Sequence, residues 1–221
     1  MNSRKNTLHI KRLCVVSLFC ALAFVLTYIK LPVSFLSLEI KDSVIVLCTL
    51  IFGPLAGLAI AILVPILELI THSTTGVYGL IMNMLSSVTF AMVTGLIYKY
   101  KKSFYGAIVS LLSGVFAVTA VMVLANLLVT PYYMHVPVQT VVTLIPKMLL
   151  PFNLVKATLN GAIVLLLYKP LSQTLKKTGL IESRSDVSIG QTKHTLRSWL
   201  VTLIATGIIV LSFLIVFFVL K

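Results

Sequence analysis

Three polar residues share one face of the strongly apolar segment 145–168: Asn153, Lys156 and Asn160. At 100° per residue of an α-helix, their side chains fall within about 60° of one another. A lysine at membrane depth costs roughly 2.5–3.5 kcal/mol on insertion scales, so Lys156 should face the protein interior. The pattern predicts either a ligand-binding stripe or a structural lysine bonded to Glu68 or to backbone carbonyl groups.

Asn126, near the end of the apolar segment 104–129, is a second candidate. Its amide offers two N–H donors and an acceptor oxygen, which suit the edge of a heterocyclic ligand. A buried asparagine in a helix bundle also commonly bonds a neighbouring helix. Tyr132 and Tyr133 follow, and they fit either the same site or an aromatic belt at the membrane surface.

Two connecting segments add further polar groups at the same predicted end of the molecule. Segment 71–79 has two glycines that permit a tight turn and a close backbone approach to a ligand, although it can equally be a simple connection. Segment 32–41 is placed to cover a pocket. Convergent amide, hydroxyl and aromatic groups indicate a binding pocket rather than a catalytic site. The candidates in and after these segments are Leu38, Glu39, Thr75, Gly76, Tyr78 and Asn83.

The composition places these residues in a membrane protein. The chain has 221 residues, 59% hydrophobic and 10% charged, with a mean hydropathy of +1.09. A soluble domain carries roughly 45–50% apolar and about 25% charged residues. This balance excludes a cytosolic enzyme, a secreted disulfide scaffold and a disordered chain.

The apolar segments predict an all-α, multi-pass membrane helix bundle. Gly53-Pro54 interrupts segment 43–70, and two helices turning there place the basic loop 99–102 on the same side as the basic N-terminus. We expect a six-helix core over 1–170, a cytoplasmic polar linker over 171–197 and an additional transmembrane helix over 198–221. The predicted spans are 13–29, two within 43–70, 80–98, 104–129, 145–168 and 198–220.

The net charge of +13 is best interpreted as an orientation signal. Lysine and arginine concentrate at the N-terminus, in loop 99–102 and in the linker, which predicts a cytoplasmic N-terminus in the cell membrane. The lipid bilayer is therefore the expected partner of these charges, and nucleic acid is not.

The sequence contains no motif that indicates catalysis, a metal site or a disulfide. The three cysteines lie in predicted spans and the four histidines are scattered, so neither a disulfide nor a metal site is expected. No phosphate-binding loop is present, and Glu68 is the one acid predicted inside a span. If the protein does work on a substrate, a partner must supply the energy.

Several of these elements together resemble the substrate-binding (S) components of energy-coupling factor (ECF) transporters, in particular the riboflavin-specific branch. The resemblance covers about residues 8–178. The Phe-Gly-Pro and Thr-Gly elements are shared among S components, whereas the asparagines and the lysine point to the flavin branch. The elements are the basic N-terminus, Phe52-Gly53-Pro54-Leu55-Ala56-Gly57, Ser73-Thr74-Thr75-Gly76, Asn126 and Asn153-Leu154-Val155-Lys156.

The resemblance implies a six-helix core that captures riboflavin from outside the cell. The core would dock onto a transmembrane T component carrying two ATP-binding-cassette ATPases. Riboflavin would be the transported ligand, and no cofactor is expected. In that family, Asn126, Asn153 and Lys156 would bond the isoalloxazine ring, and Leu38 and Glu39 would line or close the pocket.

S components dock through a small-residue face of their first helix. Ser17 and Ala21, four residues apart, are the candidates here, with Cys20 and Ala23 as alternatives; small residues in a membrane helix also simply pack. The resemblance assigns no role to residues 179–221. Three other functions stay open: an S component for another vitamin, a membrane-embedded enzyme using Glu68 and Lys156, and a structural subunit without a ligand.

Overall fold

The computed structural model describes residues 2–100, 102–177 and 195–218, which are mostly helical. Seven helical segments and one short hairpin make up this part of the chain. In order they are α1 (Asn2–Leu26), β1 (Lys30–Val33), β2 (Leu36–Glu39), α2 (Lys41–Phe52), α3 (Pro54–Thr71), α4 (Gly76–Tyr100), α5 (Phe104–Met134), α6 (Val138–Leu144) continued by a π-helical turn (Ile145–Leu149) into α7 (Leu150–Lys177), and α8 (Thr195–Phe218).

The predicted turn at Gly53-Pro54 is confirmed. Gly53 has φ 99°, a conformation that side-chain-bearing residues rarely adopt, and Pro54 begins α3 where its missing N–H costs nothing. With 12 residues, α2 rises only about 18 Å, which is less than a bilayer core. Eleven of its residues are buried, so α2 is the central helix of the bundle.

Within the described residues, four helical segments are long and apolar enough to cross a membrane: Pro54–Thr71, Gly76–Tyr100, Phe104–Met134 and Val138–Leu175. The predicted spans 80–98, 104–129 and 145–168 lie within the last three. The observed helices extend beyond these predicted spans. The predicted first span, 13–29, is helical only as far as Leu26.

The expectation of a purely helical fold is wrong over residues 30–39. This segment forms an antiparallel hairpin in which Lys30 pairs with Glu39 and Val33 with Leu36. Val33 and Leu38 are buried in an apolar cluster with residues of α7. The hairpin therefore folds back onto the bundle instead of extending into solvent.

Close helix packing around α2 depends on a missing side chain at Gly95 of α4. A Cβ there would lie 2.5 Å from Cγ2 of Thr49 and 3.1 Å from Cβ of Pro54. Small residues allow this approach of helix backbones, the usual packing mode in membrane bundles.

The chain beyond the predicted six-helix core contains α8, which packs along α7. The additional helix predicted over 198–221 corresponds to Thr195–Phe218. α7 itself continues to Lys177, into the predicted linker. The rest of the predicted linker up to residue 194, and residues 219–221, lie outside the described part.

Candidate functional site

A buried cluster of four charges lies where the hairpin meets α2 and α3. Nζ of Lys41 lies 2.6 Å from Oε2 of Glu39 and 2.7 Å from Oε2 of Glu68. Lys30 pairs with Glu68 and lies 3.5 Å from Oε1 of Glu39. Glu39 and Lys41 are fully buried, so their charges must compensate each other because water cannot. Two carboxylates and two ammonium groups make the cluster neutral.

This charge cluster (Lys30, Glu39, Lys41 and Glu68) also binds α4. The side-chain amide of Asn83 donates to both carboxylate oxygens of Glu68, at 3.2 Å each. Asn83, predicted as a ligand-binding residue, is thus joined to the cluster. The cluster connects the hairpin, α2, α3 and α4 through polar contacts.

The structure also buries two acidic residues that lie outside the predicted spans. Glu39 and Asp42 are buried as well as Glu68, and Asp42 accepts a hydrogen bond from Ser87. The partners of Glu68 are the lysines at the hairpin and α2, rather than Lys156.

Lys156 acts electrostatically on Glu39. Burial raises the pKa of Glu39, but the nearby charges of Lys156, Lys41 and Lys30, with a hydrogen bond from Lys41, lower it to about 2. Glu39 therefore stays ionised at neutral pH. Its carboxylate is the point where the charge cluster meets the predicted polar stripe of α7.

Asn160 has a structural role that its position on the stripe did not indicate. Its amide nitrogen donates to the carbonyl oxygens of Glu39 and Lys156, both at 2.9 Å. Its oxygen accepts from the backbone N–H of Ser43 at 2.8 Å. Both N–H groups are used, so Asn160 joins the end of the hairpin and the start of α2 to α7. Direct contact between Asn160 and a ligand stays a prediction.

Asn126 and Asn153 differ from Asn160, because their bonds stay within their own helices. The amide of Asn126 donates to the carbonyl of Met122 at 2.7 Å, and its oxygen accepts from Thr130 at 2.9 Å. Asn153 donates to the carbonyl of Leu149 at 2.7 Å. Each recorded bond uses one of two N–H groups, which leaves capacity for a ligand. Both residues are buried, on helices α5 and α7 that pack together.

The backbone that precedes Asn153 is not a regular α-helix. The N–H of Leu150 bonds the carbonyl of Ile145, five residues earlier, which closes a π-helical turn. Pro146 and Pro151 explain the irregularity, because neither can donate a backbone hydrogen bond. Such turns recur at functional sites. This one determines the direction around the helix axis in which the side chains of Asn153 and Lys156 project.

The predicted residues at the start of α4 lie at the surface. The rings of Tyr78 and Tyr133 meet edge to face, with centroids 6.0 Å apart. Tyr132, a candidate for either the site or the aromatic belt, is 70% exposed and does not join the buried groups. Thr75 and Gly76 are at the helix start, partly buried and exposed respectively. A ligand contact by Thr75, Gly76, Tyr78 or Tyr132 stays a prediction.

The predicted docking residues Ser17 and Ala21 are exposed on one face of α1. Ile10, Leu13, Cys14 and Leu18 line a shallow apolar groove with Ser17. The alternative Ala23 is fully buried in the core and cannot contact a partner, and Cys20 is partly buried against the core. The structure thus separates the preferred pair from the alternatives, and docking itself stays a prediction.

Comparisons with known proteins agree with this architecture. Residues 11–172 match the family model described as "ECF transporter, substrate-specific component". The riboflavin transporter RibU of Staphylococcus aureus (strain TCH60) is 31% identical over 80% of this chain and all of its own length. The riboflavin transporter FmnP of Bacillus subtilis (strain 168) is 30% identical over 76% of this chain and 95% of its own. A solved structure of "the S component of a bacterial ECF transporter" superposes with a TM-score of 0.66 at 31% identity, over 76% of this chain and 99% of the other.

Proposed function

Since the chain belongs to the family of ECF transporter substrate-specific components, we propose that it captures riboflavin for uptake into the cell. Family membership makes it a multi-pass membrane protein with a role in transport, not an enzyme, which removes the alternative of catalysis by Glu68 and Lys156. ECF S components pair with a T component and ATPases. The ATPases supply the ATP hydrolysis for which this sequence has no phosphate-binding loop.

The observation that carries the riboflavin proposal is the pair of buried amides, Asn126 and Asn153, in a chain about 30% identical to two riboflavin transporters. Riboflavin is neutral and has a flat apolar ring whose pyrimidine edge carries donors and acceptors. Amides with spare hydrogen-bonding capacity match that edge. Lys156 contributes a further N–H donor, and its charge interacts favourably with the carboxylate of Glu39.

The hairpin supplies the outer wall of the proposed site. Leu38 packs on the apolar side of α7, and Asn160 fixes the backbone of Glu39 to the same helix. A ligand between α5 and α7 would therefore be covered by Leu38 and Glu39.

The proposed orientation places the N-terminus in the cytoplasm and the hairpin outside. Arg12, in the N-terminal half of α1, donates to the carbonyl of Phe52 at the end of α2, so the N-terminal half of α1 and the Gly53 turn share one side. α4, which follows the outward-running α3, ends at the same side with Lys99. Basic residues favour the cytoplasmic side.

Riboflavin binding is tested by titrating the detergent-purified full-length protein and following the quenching of flavin fluorescence. We expect saturable one-to-one quenching that excess thiamine or biotin does not reverse, with weaker binding by Lys156→Met. No quenching by a correctly folded protein would contradict the proposal and would favour another vitamin as the ligand.

Docking through α1 predicts a separate defect. Ser17→Trp and Ala21→Trp should leave riboflavin affinity within about twofold, because both side chains lie outside the core, but should lower ATP-driven uptake and co-purification with the T component at least tenfold. Leu112→Trp, at an exposed position of α5, is the matched control. Equal uptake by all three variants would contradict docking through this face.

A further inference from the structure

α7 carries a second stripe, purely apolar, beside its polar one. Phe152, Val155 and Leu159 follow the 3–4 spacing of one helix face, about 100° around the axis from the polar stripe. All three are buried, in a cluster that also contains Val33 and Leu38 of the hairpin. The hairpin is therefore held against α7 by the apolar cluster and by Asn160 together.

α8 packs against this same apolar cluster. Ile209 and Ile215 contact it from the α8 side. Ala205 and Ser212 are buried and seven residues apart, so two small side chains let α8 approach its neighbour closely. Ile204 and Leu211, about 100–120° around the helix axis from Ala205, are exposed.

The family model ends at residue 172, before α8 begins, so α8 is not part of the matched core. We propose that α8, by packing against α7, holds α7 against the hairpin and thereby slows the release of riboflavin. This inference rests on the proposed function. Ile209 and Ile215 are positioning residues that act through α7 and do not touch the ligand.

The physical basis is packing rather than removal of apolar surface from water. Lipid chains are as apolar as isoleucine, so the uncovered stripe of α7 would cost little in transfer free energy. Fluid lipid does not fix side-chain positions as a packed helix does, however, and α7 and the hairpin share one cluster. Loosening α7 should therefore increase the frequency with which the hairpin separates from it.

The test compares two double variants of the full-length protein. Ile209→Ala/Ile215→Ala removes the α8 side of the contact, and Ile204→Ala/Leu211→Ala makes the same change in size on the exposed face. Recovery of flavin fluorescence on dilution gives the rate of riboflavin release. We expect release about tenfold faster in the first variant, with association within twofold, and no change in the second. Equal release rates in the two variants would overturn the proposal that α8 slows release.

A second readout does not require riboflavin. Hydrogen–deuterium exchange of the amides in hairpin 30–39 of the ligand-free protein should be at least fivefold faster in Ile209→Ala/Ile215→Ala than in the control. If the unaltered protein does not bind riboflavin, the proposed function fails. Hydrogen–deuterium exchange of the hairpin then still tests whether α8 holds α7 against the hairpin. If the alanine variant does not fold, Ile209→Val/Ile215→Val replaces it, with the same direction and a smaller expected effect. Unchanged hairpin exchange would overturn the inference.

Discussion

Replacing Lys41 with methionine should lower the free energy of unfolding by about 3–5 kcal/mol, the usual consequence of removing one partner of a buried ion pair. Lys41 contacts both Glu39 and Glu68, and all three are buried. Methionine keeps most of the side-chain volume, so the decrease in the free energy of unfolding measures the effect of removing the charge. Lys30 cannot replace Lys41, since its side chain is 26% exposed and lies at the edge of the cluster. Denaturant unfolding in detergent measures the change.

Two further variants separate charge balance from folding defects in general. Lys99→Met changes an exposed lysine and should alter the unfolding free energy by no more than about 0.5 kcal/mol. The double variant Lys41→Met/Glu68→Gln removes one charge of each sign, so its cost should be smaller than the sum of the two single costs. A loss below about 1 kcal/mol in Lys41→Met would mean that water reaches the cluster.

The features that the sequence predicted correctly depend on local chemistry. Gly53-Pro54 ends one helix and begins the next because of the backbone restrictions of those two residues alone. Helical periodicity likewise placed Asn153, Lys156 and Asn160 on one buried face. Periodicity identifies a face but not its partners, which is why Asn160 could not be distinguished from Asn153.

The charge cluster could not be predicted, because it joins residues far apart in the sequence. Glu39 and Lys41 read as polar residues of an outer loop, and their burial depends on the hairpin folding back onto α7. One signal was available. The chain has five acidic residues, and the three in the described part, Glu39, Asp42 and Glu68, are all buried. Acids so scarce in a membrane protein are candidates for interior pairs.

The irregular start of α7 had a visible cause that periodicity obscured. Pro146 and Pro151 bracket the π-helical turn, whereas the apolar pattern over 145–168 predicts one uniform helix. A proline has no N–H to donate to the carbonyl four residues earlier, so Pro146 and Pro151 interrupt the regular helical bonding at Val142 and Lys147.

Replacing Asn126 and Asn153 together with alanine should abolish riboflavin binding in the micromolar range while leaving the fold intact. A lost hydrogen bond costs about 1–3 kcal/mol when its partner is left unsatisfied, so each single variant should raise the dissociation constant roughly 10–100-fold. The protein bonds of both amides stay within their own helices, at Met122, Thr130 and Leu149, so no contact between helices is lost. Flavin fluorescence titration of the single and double variants measures the effect.

Asn160→Ala is the matched comparison, because it removes the same side chain from the same buried face of α7. Its amide joins α7 to Glu39 and Ser43, so this variant should lower the melting temperature of the ligand-free protein, whereas Asn126→Ala and Asn153→Ala should not. The opposite results would exchange the two roles. In that case the Asn160→Ala protein would be stable but would not bind flavin, and the Asn153→Ala protein would be unstable but would bind it. A ligand-binding amide is thus distinguished from a structural one by which measurement its loss changes.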